Sequence, residues 1–153
     1  MFGFERLEVW RKARGLTKAV YCAVDAFPAR EQFALSQQLT RAAVSVAANI
    51  AEGSAKASNK EFSRYVEISF GSLCELIAEL YVALDREYLS EDRFGQLYGD
   101  AERLGMMLSK LRGSLERSWV KTRSEGTGRH DQHAPSAGRS TIHDQTINEN
   151  PEE

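Results

Sequence analysis

Apolar positions along this chain fall at spacings of three and four in four separate runs, and no stretch alternates with the period of a strand. The first run is Val9, Ala13, Leu16, Val20, Val24 and Phe27, with Trp10 at its edge and Arg11, Arg14 and Lys18 opposite. It predicts a helix from about Phe4 to Ala26 that Phe27-Pro28 ends, because the residue before proline is pushed out of the helical region. A second helix is expected from about Glu31 to Ser54, with Gly53 near its C-terminal cap. "SNKE" at Ser58–Glu61 reads as a capping box that opens a third helix running to about Tyr88. Its apolar arc is broad: Phe62, Tyr65, Val66, Phe70, Leu73, Leu76, Ile77, Leu80, Tyr81 and Leu84, with Cys74 at the edge as a buried small hydrophobe. Ser90, followed by acids, caps a fourth helix whose seam of Phe94, Leu97, Ala101, Leu104, Leu108, Leu111 and Leu115 keeps a heptad spacing. The expected fold is all-α: an antiparallel up-down four-helix bundle over residues 1–120, followed by a disordered polar tail over 121–153.

The second helix carries two apolar faces. Leu35, Leu39, Ala43, Val46 and Ile50 form the core stripe, while Val44, Ala47, Ala48 and Ala51 form a patch centred about 130° away on a helical wheel. A helix buried on one side has no need of the second patch, so the patch is a candidate interface with another copy. The same alanines also suit a partly exposed helix through propensity alone. Gln38, Arg41, Ser45, Asn49 and Glu52 run along the polar edge between the faces, where Asn49 and Glu52 are candidates to set register between subunits.

Composition alters this picture mainly at the tail and in what chemistry it excludes. From Lys121 onward there are two large aliphatics, Ile142 and Ile147, and no aromatic. The chain's three histidines, His130, His133 and His143, all lie there. Residues 1–119 hold 16 Lys/Arg against 16 Asp/Glu, so this part is formally neutral and gives no electrostatic sign of nucleic-acid binding by itself. No run of about 18 apolar residues encodes a membrane span, and Cys22 and Cys74 form no metal or redox motif. A reduced, cytoplasmic protein is the expected setting. Di-metal sites in bundles need Glu-x-x-His pairs on facing helices, and residues 1–120 have no histidine to supply them. His130 and His133, around Asp131, read as a solvated pair on the tail. No serine or cysteine has an activating partner in the pattern, so neither an enzyme nor a bound cofactor is expected. Glu75 and Glu79, four apart on the third helix, repel slightly, and an arginine from another helix or subunit would offset this.

The segments "FERLEVWRKA", "FPAREQFALSQQLTRAAVSVAANIAEG" and "SNKEFSRYVEISFGSLCEL" resemble, in that order, the four-helix-bundle proteins encoded within 23S rRNA intervening sequences. That family is in turn similar to the accessory variability determinant proteins of diversity-generating retroelements. The resemblance covers about residues 2–117. It implies a small antiparallel bundle that assembles as a ring-shaped homopentamer, with nucleic-acid binding in the retroelement branch. This chain has Thr40 where the family commonly has a second arginine, Ala47 where it has a proline, and Ala34 where it has a glycine. The first change leaves a less basic surface and the second a straighter helix.

The functional expectation is a non-enzymatic homo-oligomeric binding module, with RNA or DNA as the partner that the resemblance favours. The candidate contacts are Arg11, Arg14, Lys18, Arg41, Lys56, Lys60 and Arg64. Repeated around an oligomer, such a modest patch becomes a usable phosphate-binding surface. The alternative is a structural adaptor that binds another protein through the ring or the tail.

Overall fold

The computed structural model describes residues 1–126, and within them four helices pack as an antiparallel bundle: α1 (Glu8–Val24), α2 (Leu35–Ser54), α3 (Asn59–Asp85) and α4 (Glu91–Gly126). Each packs against its two neighbours in the cycle α1–α2–α3–α4–α1, and among the described residues the backbones of the diagonal pairs come no closer than 8 Å between Cα atoms. The face between α2 and α3 therefore lies on the opposite side of the bundle from the face between α1 and α4.

The core is the stripe that the spacings mark out. Val9, Ala13, Leu16 and Val20 of α1 meet Leu39, Ala43, Val46 and Ile50 of α2, together with Leu73, Leu76 and Leu80 of α3 and Leu97, Leu104 and Leu108 of α4. Two hydroxyls tie the helices together, one inside this apolar mass and one at its edge. Ser69, with no exposed surface, donates to the Val46 carbonyl at 2.9 Å, and part-buried Thr17 donates to the Ala43 carbonyl at 3.0 Å. Both are small enough to let the backbones approach, and buried Ser69 is satisfied, as buried polar groups must be.

Helix ends depart from the sequence expectation in informative ways. The chain before α1 is not helical from Phe4 but forms a 3-10 turn over Gly3–Arg6, closed by the Phe2 N–H donating to the Glu5 carboxylate at 2.9 Å. That turn lays Phe4 edge-on against Trp10, with ring centroids 4.7 Å apart. Ala29–Glu31 forms a second 3-10 turn, so α2 starts at Leu35 rather than Glu31. At the start of α3, Ser58 accepts from the Glu61 backbone N–H at 3.2 Å, the serine half of the expected capping box, while the Glu61 carboxylate accepts from the Ser58 hydroxyl at 2.9 Å instead of from the backbone N–H. Ser90 accepts from the Arg93 N–H at 3.2 Å to open α4. The end of α3 is closed by the Tyr88 N–H donating to the Ala83 carbonyl at 2.9 Å, with Glu87 in the left-handed region at φ 59°.

Gly53 is not a cap. It lies inside the last turn of α2, two residues before the Ala55 cap and with no positive φ, and is buried against Phe62 and Tyr65 of α3. A Cβ there would sit 2.6 Å from the Tyr65 Cβ and 2.7 Å from the Phe62 ring. Cys74, expected to be buried, is exposed, and Phe70 and Tyr81 at the far edge of the α3 arc are also exposed. The arc was drawn too wide for what two neighbouring helices cover. Residues 121–126, assigned to the tail by composition, continue α4. The remainder of that segment, with its expected disorder and its three histidines, lies outside the described residues.

Candidate interaction surfaces

Three surfaces matter, and each is set by which side of a helix its residues occupy. On α1 the core stripe faces inward and Arg11, Arg14 and Lys18 are exposed. Among the described residues none of the three has a carboxylate within ion-pairing distance. Arg14 lies over the Trp10 ring, 5.9 Å from its centroid, and Arg11 donates to the Arg6 carbonyl at 3.5 Å, so two of the three are held by neutral groups that leave their charge uncompensated.

The other four cation candidates divide. Lys56 pairs with Glu52 at 3.2 Å and sits 4.7 Å over the Tyr65 ring. The Tyr65 hydroxyl also donates to Glu52 at 2.7 Å, and this bond, with Lys56, holds the Glu52 carboxyl below its ordinary range. Lys60 lies 5.5 Å over the Trp119 ring on α4, while Arg64 is exposed on the outer side of α3. Arg41 faces the acidic pair of α3, which partly compensates its charge. The structure thus separates Arg11, Arg14 and Lys18 from the second group, which sits around the α2–α3 connection and seam.

The second surface is the α2/α3 face. Val44 and Ala48 are exposed on it as the helical wheel places them, and Ala51 is half-buried. Ala47 is also half-buried, with part of its surface packed against the protomer's own core. Asn49 turns inward and donates to the Ser45 carbonyl at 2.8 Å and the Ser45 hydroxyl at 3.1 Å, and Ser45 meets Ser72 of α3 at 2.8 Å. Asn49 is thus held within its own helix, and the bond that crosses from α2 to α3 is the one between Ser45 and Ser72. Glu52 is engaged at the end of the same seam. Sequence reasoning missed Ile68 and Val82, which are 44% and 47% exposed beside Val44 at 43%. Their spacing of fourteen, four turns of one helix and outside the core arc, is the signal that would have found them.

Glu75 and Glu79 complete this face. The Glu79 Oε2 is buried without a hydrogen-bond partner among the described residues. Burial pushes the Glu79 carboxyl up to about 7, Glu75 adds to the push, and Arg41 opposes it. Arg41 is the opposing arginine that the spacing called for, yet it is not within 4 Å of either carboxylate. Two acids thus share one distant cation.

The third surface is a groove of about 340 Å³ between α1 and α4, which no spacing within one helix singles out. Buried Leu104 and half-buried Met107 line it, with exposed Met106, Lys12, Asp100, Arg103 and Lys110 around them. Arg103 is paired with Asp100, while Lys12 and Lys110 have no such partner among the described residues. Among those residues, no three His, Cys, Asp or Glu side chains converge as a metal site would require, and no helix is long and apolar enough to cross a membrane.

Comparison with known proteins agrees with the architecture. The family model described as 23S rRNA-intervening sequence protein matches residues 5–110. A crystal structure of a protein of unknown function from the S23 ribosomal protein family of Bacteroides thetaiotaomicron is similar, with a TM-score of 0.62. It is 20% identical and covers 68% of this chain and 97% of its own, a likeness of fold. No curated protein matches the chain. Neither matching description names a reaction.

Proposed function

The chain belongs to the 23S rRNA-intervening sequence protein family, and from that membership we propose that it is a non-catalytic, self-assembling bundle that binds RNA or DNA through the outer face of α1. The observation that carries the reading is the set of exposed, uncompensated cations Arg11, Arg14 and Lys18. Guanidinium and ammonium groups not engaged by carboxylates are free to displace counterions from phosphates, which is the main source of sequence-independent affinity. One protomer offers only three such charges in a formally neutral bundle, so self-assembly is part of the proposal. In a ring of five, as the resemblance implies, the set recurs five times and binding becomes multivalent.

The test is retention of a labelled RNA on the full chain, with a duplex DNA in parallel, over a salt series. The wild type should lose affinity steeply with salt. Arg11→Glu with Lys18→Glu should weaken retention by ~10-fold or more at fixed salt and flatten the salt slope. Retention unchanged by these reversals would contradict the assignment of this surface.

A further inference from the structure

We infer that copies of this chain assemble front to back, the α2/α3 face of one seating on the α1/α4 groove of the next. The inference rests on the self-assembly just proposed and adds which surfaces meet. The two faces lie on opposite sides of the bundle and are complementary in kind. One exposes Val44, Ile68 and Val82 beside two acids, Glu75 and Glu79, neither of which has a cation within 4 Å among the described residues, with Arg41 acting on Glu79 from farther off. The other exposes Met106, 61% accessible, over Leu104 and Met107, beside Lys12 and Lys110, which among the described residues have no carboxylate within 4 Å.

Glu75 makes the occupant specific. The Glu79 Oε2 is already shut off from the surface, so the exposed Glu75 is the acid that a lysine at the rim of an apolar neighbour reaches, and that positive charge also offsets the repulsion between the two carboxylates as the face is covered. Ala48 and Gly71, small and on the outer sides of α2 and α3, leave space for that approach; nothing lies within 4 Å of where a Gly71 Cβ would stand. A contact between two different faces is heterologous. It closes into a ring if the rotation per copy divides the circle, and otherwise it propagates. A face that met only its own copy would pair Glu75 and Glu79 with the same acids.

Two variants of the full chain separate these cases. Ile68→Lys with Glu75→Lys blocks the front, and Lys12→Glu with Lys110→Glu blocks the back. All four positions are exposed, so both variants should keep the helicity of the wild type by circular dichroism. Sedimentation velocity should find each variant alone as a monomer at a concentration where the wild type is assembled. Their equimolar mixture should form complexes that contain both. A mixture that stays monomeric, or single variants that assemble like the wild type, overturns the pairing of these faces while leaving self-assembly standing. A wild type that is itself monomeric overturns the self-assembly reading and this inference with it.

Discussion

Glu79 shows what one residue in the wrong dielectric does. Its carboxyl is raised from 4.5 to about 7, first by burial and then by Glu75. Below pH 4.5 the folded and unfolded chains both hold the proton; between 4.5 and 7 only the folded chain does. The unfolded state then binds fewer protons, so the protomer loses stability as pH rises through this window. Urea unfolding of the dilute, monomeric chain should show this fall in the wild type and a flatter profile in Glu79→Gln, a difference that parallel profiles would refute. The sequence revealed the pair and its need for a cation, because a spacing of four puts like charges side by side on any helix. It did not reveal that Arg41 stays more than 4 Å away or that one oxygen is left without a donor. Those follow from how α2 and α3 settle against each other. Cys74 makes the same point from the other side: at the edge of a stripe, burial is decided by where the neighbouring helix ends its coverage, which periodicity in one helix does not contain.

At the scale of elements, helix number and inward faces follow directly from the spacing of Leu, Ile, Val and Ala, because only one arc of each helix can be kept from water. Helix ends are less legible, since caps compete with tertiary contacts. Ser58 and Ser90 act as local chemistry dictates, whereas Gly53, which local chemistry reads as a cap, is required by the crossing of α2 and α3. Gly53→Ala should therefore destabilise the chain by ~1–3 kcal/mol in urea unfolding, even after the propensity gained by alanine, because the Tyr65 Cβ it meets is fixed to the α3 backbone. Gly15→Ala on α1, with nothing within 4 Å, should instead be neutral or stabilising by up to ~1 kcal/mol. Equal effects at the two sites would mean that the close approach is not what fixes the glycine. Ala47 shows a related limit: a wheel gives angles about one axis, whereas how far the residue is covered depends on the packing around that axis, which leaves Ala47 partly buried against the core.

The whole molecule has more surface chemistry than a lone four-helix bundle needs. An apolar face with surplus acid, an opposite groove with surplus base and a separate run of uncompensated cations on α1 are explained together if copies join through the first two and present the third outward. The α1 cations were legible in the sequence as the face opposite a core stripe. The α1/α4 groove was not, because it depends on two helices that are far apart in the chain. The central claim is self-assembly, and the most direct measurement of it is the native mass of the wild-type chain by light scattering on a sizing column. The account predicts an oligomer, about 86 kDa if five copies of the 17.2 kDa chain close the ring, and a shift toward the monomer in Ala48→Glu. A wild-type mass of 17.2 kDa at every concentration would contradict it.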